Sequence, residues 1–268
     1  MTPDEDRLYR TLGDALGVAS EWEDLAGSPA GPPRPEEGSD LAADDVRAHP
    51  YQVSHAAWQA FLASVSHLGC LRDSLFEWDG PGKVTVRVHT HGQFSLVRGA
   101  LENASRAIWL LESGDGDERV LRRLRLEWAE VNAQAEVREI VGQPGRPMAD
   151  RFDELSAMVR PTGIDPAAIR RKPGYATMVK AAGALLPAGS AMHVLIWRMC
   201  SALAHGDVRA TVGYTARNVG PEVSPGVPQV QVTGNVPLLA NGALIAIEAA
   251  RLALGMYRRR CAGVGGPA

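Results

Sequence analysis

Apolar side chains in this chain recur at three- and four-residue steps over long runs, and this spacing constrains the fold more than any other feature. Trp58, Phe61, Leu62, Val65, Leu68, Leu71, Leu75 and Phe76 follow it, as one face of a helix of about six turns requires. The same period continues through residues 93–112 with Phe94, Val97, Leu101, Ala104, Ile108 and Leu111. Further helices are expected at 7–25, 118–141, 149–159, 175–185, 190–205 and 237–260, punctuated by the breakers DGPG at 79–82 and GDGD at 114–117. Strand-like segments are short: 211–216 and 229–233, and 83–89, which reads equally well as an extended approach to the next helix. The expected class is all-α, a helical bundle with a small β-hairpin appendage between the last two helices.

The 268 residues suffice for one large core, but charge is unevenly spread along them. Residues 1–50 hold 12 acidic and 4 basic side chains, a local −8, so the rest of the chain carries +5 within a net −3. Residues 26–50 are rich in Pro, Gly, Asp and Glu, with few large apolar side chains to bury. Three regions are therefore expected: a largely flexible acidic extension at 1–50, a helical domain at 51–260, and a flexible tail at 261–268. The acidic extension reads as a solubilising segment or as a mobile lid over a basic groove.

Cys70, Cys200 and Cys261 are odd in number and far apart, which argues against a disulfide framework and for a reducing, cytoplasmic setting. The start MTPDEDRLYR lacks the apolar core of a signal peptide. The most apolar stretch, 238–257, is interrupted by Asn241, Glu248 and Arg251, so it reads as a core helix and no membrane partner is expected.

The best-marked enzyme motifs are missing: no GxxxxGK(S/T) loop, no GxGxxG after a strand, no GxSxG elbow and no HExxH. His89 and His91 lie two apart in VHTHG and would face one way on a strand, but no third ligand is marked. Neither a metal nor a cofactor is expected. The paired glutamates Glu127/Glu130 and Glu136/Glu139 lie among Arg122, Arg123, Arg125 and Arg138, the pattern of a solvated ion-pair face.

The helix at 190–205 is more informative. The segment is almost wholly apolar, and of its few polar members, Ser190, His193, Arg198, Ser201 and His205, the last three fall within an arc of about 60° with Ser190 at its edge. Such a stripe must face a polar pocket or interface, or be satisfied by a network inside the fold. On the helix at 93–112, Ser95, Arg98, Glu102, Ser105 and Arg106 share one arc with His91, and Arg98–Glu102 is an i,i+4 pair.

Arg198, six intervening residues and His205 resemble the R-x(4–6)-H motif of the HEPN superfamily. Arg98 and Glu102, followed much later by Ser201, His205 and Gly206, are similar in layout to HEPN-like bacterial proteins of unassigned function, which pair an R-x3-E helix with a late S-x3-H-G helix end. The spacing is at the long end of the family's range, and Met199 stands where active members often carry a polar residue. The resemblance implies a HEPN-like helical domain, commonly a homodimer, that cuts RNA without a metal as a toxin or defence effector, with a protein antitoxin or regulator as partner. It makes Arg198 and His205 the catalytic pair, supported by Ser201, Arg98, Glu102 and His91. Two alternatives stay open: a non-catalytic binding or regulatory protein that dimerises through the same fold, and a small-molecule enzyme using His205 as base.

Overall fold

The computed structural model describes residues 3–29, 31–78, 80, 84–171 and 173–263. Among them the chain forms ten α-helices and two antiparallel strand pairs, a predominantly helical architecture. In order these are α1 (Pro3–Ala26), α2 (Asp40–Arg47), α3 (Val53–Leu75), β1 (Phe76–Trp78), β2 (Val84–Val86), α4 (Gly92–Leu111), α5 (Gly116–Ile140), α6 (Met148–Val159), α7 (Tyr175–Ala184), α8 (Gly189–Ala204), α9 (Val208–Tyr214), β3 (Ala216–Ser224), β4 (Val227–Thr233) and α10 (Val236–Cys261).

The core is built around α4. Phe94, Val97, Leu101, Ala104 and Ile108 are fully buried, and α4 packs against α3, α10, α7 and α8. Its approach to α10 is close because Gly242 has no side chain: a Cβ there would lie 2.9 Å from Cγ1 of Val97. The helix α10 is long and apolar enough, by length and composition, to cross a membrane, but 67% of its most apolar window is buried inside the bundle. Its start is capped by Asn235, whose side-chain oxygen accepts from the Leu238 N–H at 2.9 Å.

The acidic extension expected at 1–50 is instead part of the fold. Leu12, Leu16, Ala19 and Trp22 recur at helical spacing, are buried, and seat α1 on α3 and α10. The acidic residues of α2 are used internally: Asp44 pairs with buried Arg119 and with Arg47, and Asp45 accepts from the Ser54 backbone N–H at 2.9 Å. Residues 33–36 run along the end of α10, where the Tyr257 hydroxyl donates to the Pro33 carbonyl at 3.1 Å and the Glu36 N–H to the Cys261 carbonyl at 2.9 Å. A segment so held is not a mobile lid. Of the tail expected at 261–268, Cys261 is buried at the end of α10, and 264–268 lie outside the described residues.

The strands also differ from expectation. The first long helix stops at Leu75, and Phe76 opens β1, which pairs with β2 (Phe76 opposite Val86); residues 79 and 81–83 of the expected breaker and strand lie outside the described residues. Of the strand expected at 211–216, the residues up to Tyr214 belong to α9 and Ala216 opens β3, because the Asp207 carboxylate accepts from the Arg209 and Ala210 N–H groups and restarts a helix. The first strand of the hairpin moves downstream to β3, while the strand expected at 229–233 lies within β4; Ala216 stands opposite Thr233, with register shifts between Val219 and Ser224.

Candidate functional site

The predicted site residues lie where α8 ends against α4. Ile196, Cys200 and Leu203 bury one face of α8, which turns Arg198 and His205 outward. The helix closes in a Schellman turn: the Asp207 N–H reaches the Ala202 carbonyl at 3.0 Å and the Gly206 N–H the Leu203 carbonyl at 3.1 Å. Gly206 takes φ 69°, a conformation a side chain would strain. The turn fixes His205 at the helix cap, exposed to solvent.

His205 meets α4 there. Its Nε2 lies 2.9 Å from Nη1 of Arg98. A guanidinium can only donate, so Nε2 is the acceptor and the ring is neutral, with its proton on Nδ1. Arg98 in turn donates through Nε to Oε1 of Glu102 at 2.8 Å, and the Trp197 indole N–H donates to the same oxygen at 2.8 Å. Glu102 is only 9% exposed, so its charge depends on these two donors. Trp197, Glu102, Arg98 and His205 thus form one relay across the two helices.

The other predicted residues take different partners. His91 stands at the start of α4 and donates from Nδ1 to the Leu203 carbonyl at 2.8 Å, tying the first turn of α4 to the last of α8. Arg198 is exposed and, among the described residues, makes no hydrogen bond or ion pair. With Ser201 it lines a cleft of about 670 Å3 between α7, α8 and α9, together with Arg209 and Tyr214. His205 is not among the lining residues. The structure therefore joins Arg98, Glu102 and His205, places Arg198 and Ser201 in the adjoining cleft, and leaves His91 as a brace.

Two contributors escaped the sequence reading. Trp197 carries no mark of its role in the sequence, although its indole N–H is a donor the buried carboxylate needs. His67 on α3 covers Gly99, where a Cβ would lie 2.6 Å from its Nε2. Burial lowers the His67 pKa, and the nearby Glu102 charge offsets part of that shift. Among the described residues no three His, Cys, Asp or Glu side chains gather in a way that could hold a metal ion. The chain matches no known family model, no curated protein and no solved structure.

Proposed function

We propose that this chain is a HEPN-like, metal-independent ribonuclease acting at the α8 end, with toxin or defence activity as its setting. One observation carries the reading: an exposed arginine without a protein partner stands on the same helix as an exposed, neutral histidine. Arg198 is free to hold a phosphodiester and to stabilise the charge that builds on it. Along the helix axis it lies ~10.5 Å from His205, a gap its long side chain partly closes. Arg98 exchanges its contact with His205 for the incoming phosphate, and Glu102 and Trp197 keep Arg98 in place through the exchange. Nε2 of His205 then takes the proton of a ribose 2′-OH. The 2′-oxygen attacks phosphorus, the bond to the 5′-oxygen breaks, the leaving oxygen takes a proton from water, and His205 returns its proton to solvent, giving a 2′,3′-cyclic phosphate and a 5′-OH.

A second reading is favoured by the relay itself, because a covered Nε2 is also what a structural network would show. The chain is then a non-catalytic binding or regulatory protein, self-associating through the same fold. Incubating purified protein with varied RNAs in EDTA separates the two. The ribonuclease reading expects cyclic-phosphate ends, loss of cleavage in His205→Ala with the melting temperature retained, and weaker RNA binding in Arg198→Ala. Wild-type protein that leaves every RNA intact would sink the ribonuclease. Light scattering on the same samples reports self-association, and growth arrest on expression, relieved by His205→Ala, reports toxicity.

A further inference from the structure

The cleft beside the relay carries chemistry that proton transfer at His205 does not use. Leu195, Trp197 and Met199 contribute apolar surface, and Arg198 and Arg209 contribute cationic groups. Like Arg198, the Arg209 side chain has no hydrogen-bond or ion-pair partner among the described residues. One exposed tyrosine lines the cleft, and a second lies outside its lining. Tyr214, 38% exposed, lines the cleft from the end of α9, where its carbonyl accepts from Nδ2 of Asn235 at 2.8 Å. Tyr175, 37% exposed, opens α7 next to the lining residue Ala176. Its hydroxyl accepts from Nη2 of Arg106 at 2.7 Å, and the Arg106 guanidinium lies 5.7 Å from the ring centroid. One carboxylate, Asp207, also lines the cleft, and one of its oxygens already accepts two backbone N–H groups.

Resting on the RNA reading above, we propose that this cleft is the path of a single-stranded RNA, with Tyr214 as a base-stacking platform and Arg198 and Arg209 as phosphate contacts. Free guanidinium groups beside apolar surface disfavour an apolar partner, which would bury charge without a counterion. A nucleotide strand supplies both the anion that the arginines lack and a flat π-face for the Tyr214 ring to stack on. A duplex keeps its bases stacked on one another, so it cannot use the ring in this way. A cleft of about 670 Å3 is in the range that accommodates small organic groups such as a base with its sugar.

The test measures fluorescence anisotropy of a labelled RNA dodecamer, single-stranded or annealed to its complement, with full-length protein at low salt. The single strand is expected to bind more tightly than the duplex. Tyr214→Ala weakens single-strand binding by about fivefold to a hundredfold, and Tyr214→Phe restores it because the ring does the stacking. Arg198→Ala and Arg209→Ala each flatten the dependence of log affinity on log salt by about 0.7. A folded Tyr214→Ala variant that binds the strand like the wild type overturns the proposal, as does equal affinity for the duplex. It is also overturned if this variant dissociates a self-associated form, seen by light scattering, while RNA binding stays the same; the face then belongs to a protein partner. Cleavage untouched by Tyr214→Ala removes the path and keeps the ribonuclease. Tyrosine-dependent binding without cleavage keeps the path and removes the ribonuclease.

Discussion

Glu102 shows how a nearly buried charge organises its surroundings. Its partner Arg98 was legible in the sequence, because i,i+4 pairs on one helix follow from helical geometry alone. Trp197 and His67 were not, because they come from α8 and α3, and interhelix register is set by packing rather than by local spacing. His205 was legible as a histidine at a helix end, but its neutral state depends on Arg98 arriving from α4. His67 gives this environment a measurable pH signature. Its folded pKa lies below the ordinary histidine value of 6.5, so as pH falls the unfolded chain takes up the proton first. The stability contributed by keeping His67 neutral is full above 6.5 and declines from there down to the folded pKa. Melting temperature should therefore fall between pH 7.5 and 5.5 more steeply for the wild type than for His67→Gln. Parallel pH profiles for the two proteins would remove His67 as a cause.

At the level of elements, helices with a long apolar stripe were legible nearly to their ends, as 93–112 against Gly92–Leu111 shows. Short elements were not. Val208, Thr211, Val212 and Tyr214 have strand-type side chains, yet a single cap at Asp207 and the burial of Ala210 are enough to make α9 helical. The contact between α4 and α10 was likewise invisible, because a glycine within an apolar run gives no sign of what will lie against it. Gly242→Ala tests that contact. The added methyl group would lie 2.9 Å from Cγ1 of Val97, so side chain or helix must shift, at a cost of about 1–3 kcal/mol. Chemical denaturation should show that loss with little change in the slope m. Unchanged stability would mean that Val97 turns away freely and the helices are less tightly held than they stand here.

For the molecule as a whole, the charge split at residue 50 was real and its meaning was different. Composition gave a tail of −8 beside a body of +5, but composition does not say which acidic groups face a partner within the chain. Asp40 and Asp44 reach Arg260, Arg119 and Arg47, so part of the apparent asymmetry is internal pairing between α2, α5 and α10. The remaining acidic residues of α1 share a helix whose other face is apolar and covered. A chain beginning at residue 51, the domain expected from composition, would leave the surfaces of α3 and α10 beneath α1 open to water and Arg119 without its carboxylate. Uncovering apolar surface of that kind promotes association between copies, and an abandoned buried charge adds a further loss of about 3–5 kcal/mol. The truncated protein should melt well below the full chain and aggregate, and any RNA it still binds should be bound no more tightly. A lid makes the opposite demand, since its removal would leave the fold intact and raise RNA affinity, most strongly at low salt. Thermal melts and salt titrations on the two lengths decide between them, and a stable, monomeric truncated protein with raised RNA affinity would restore the lid.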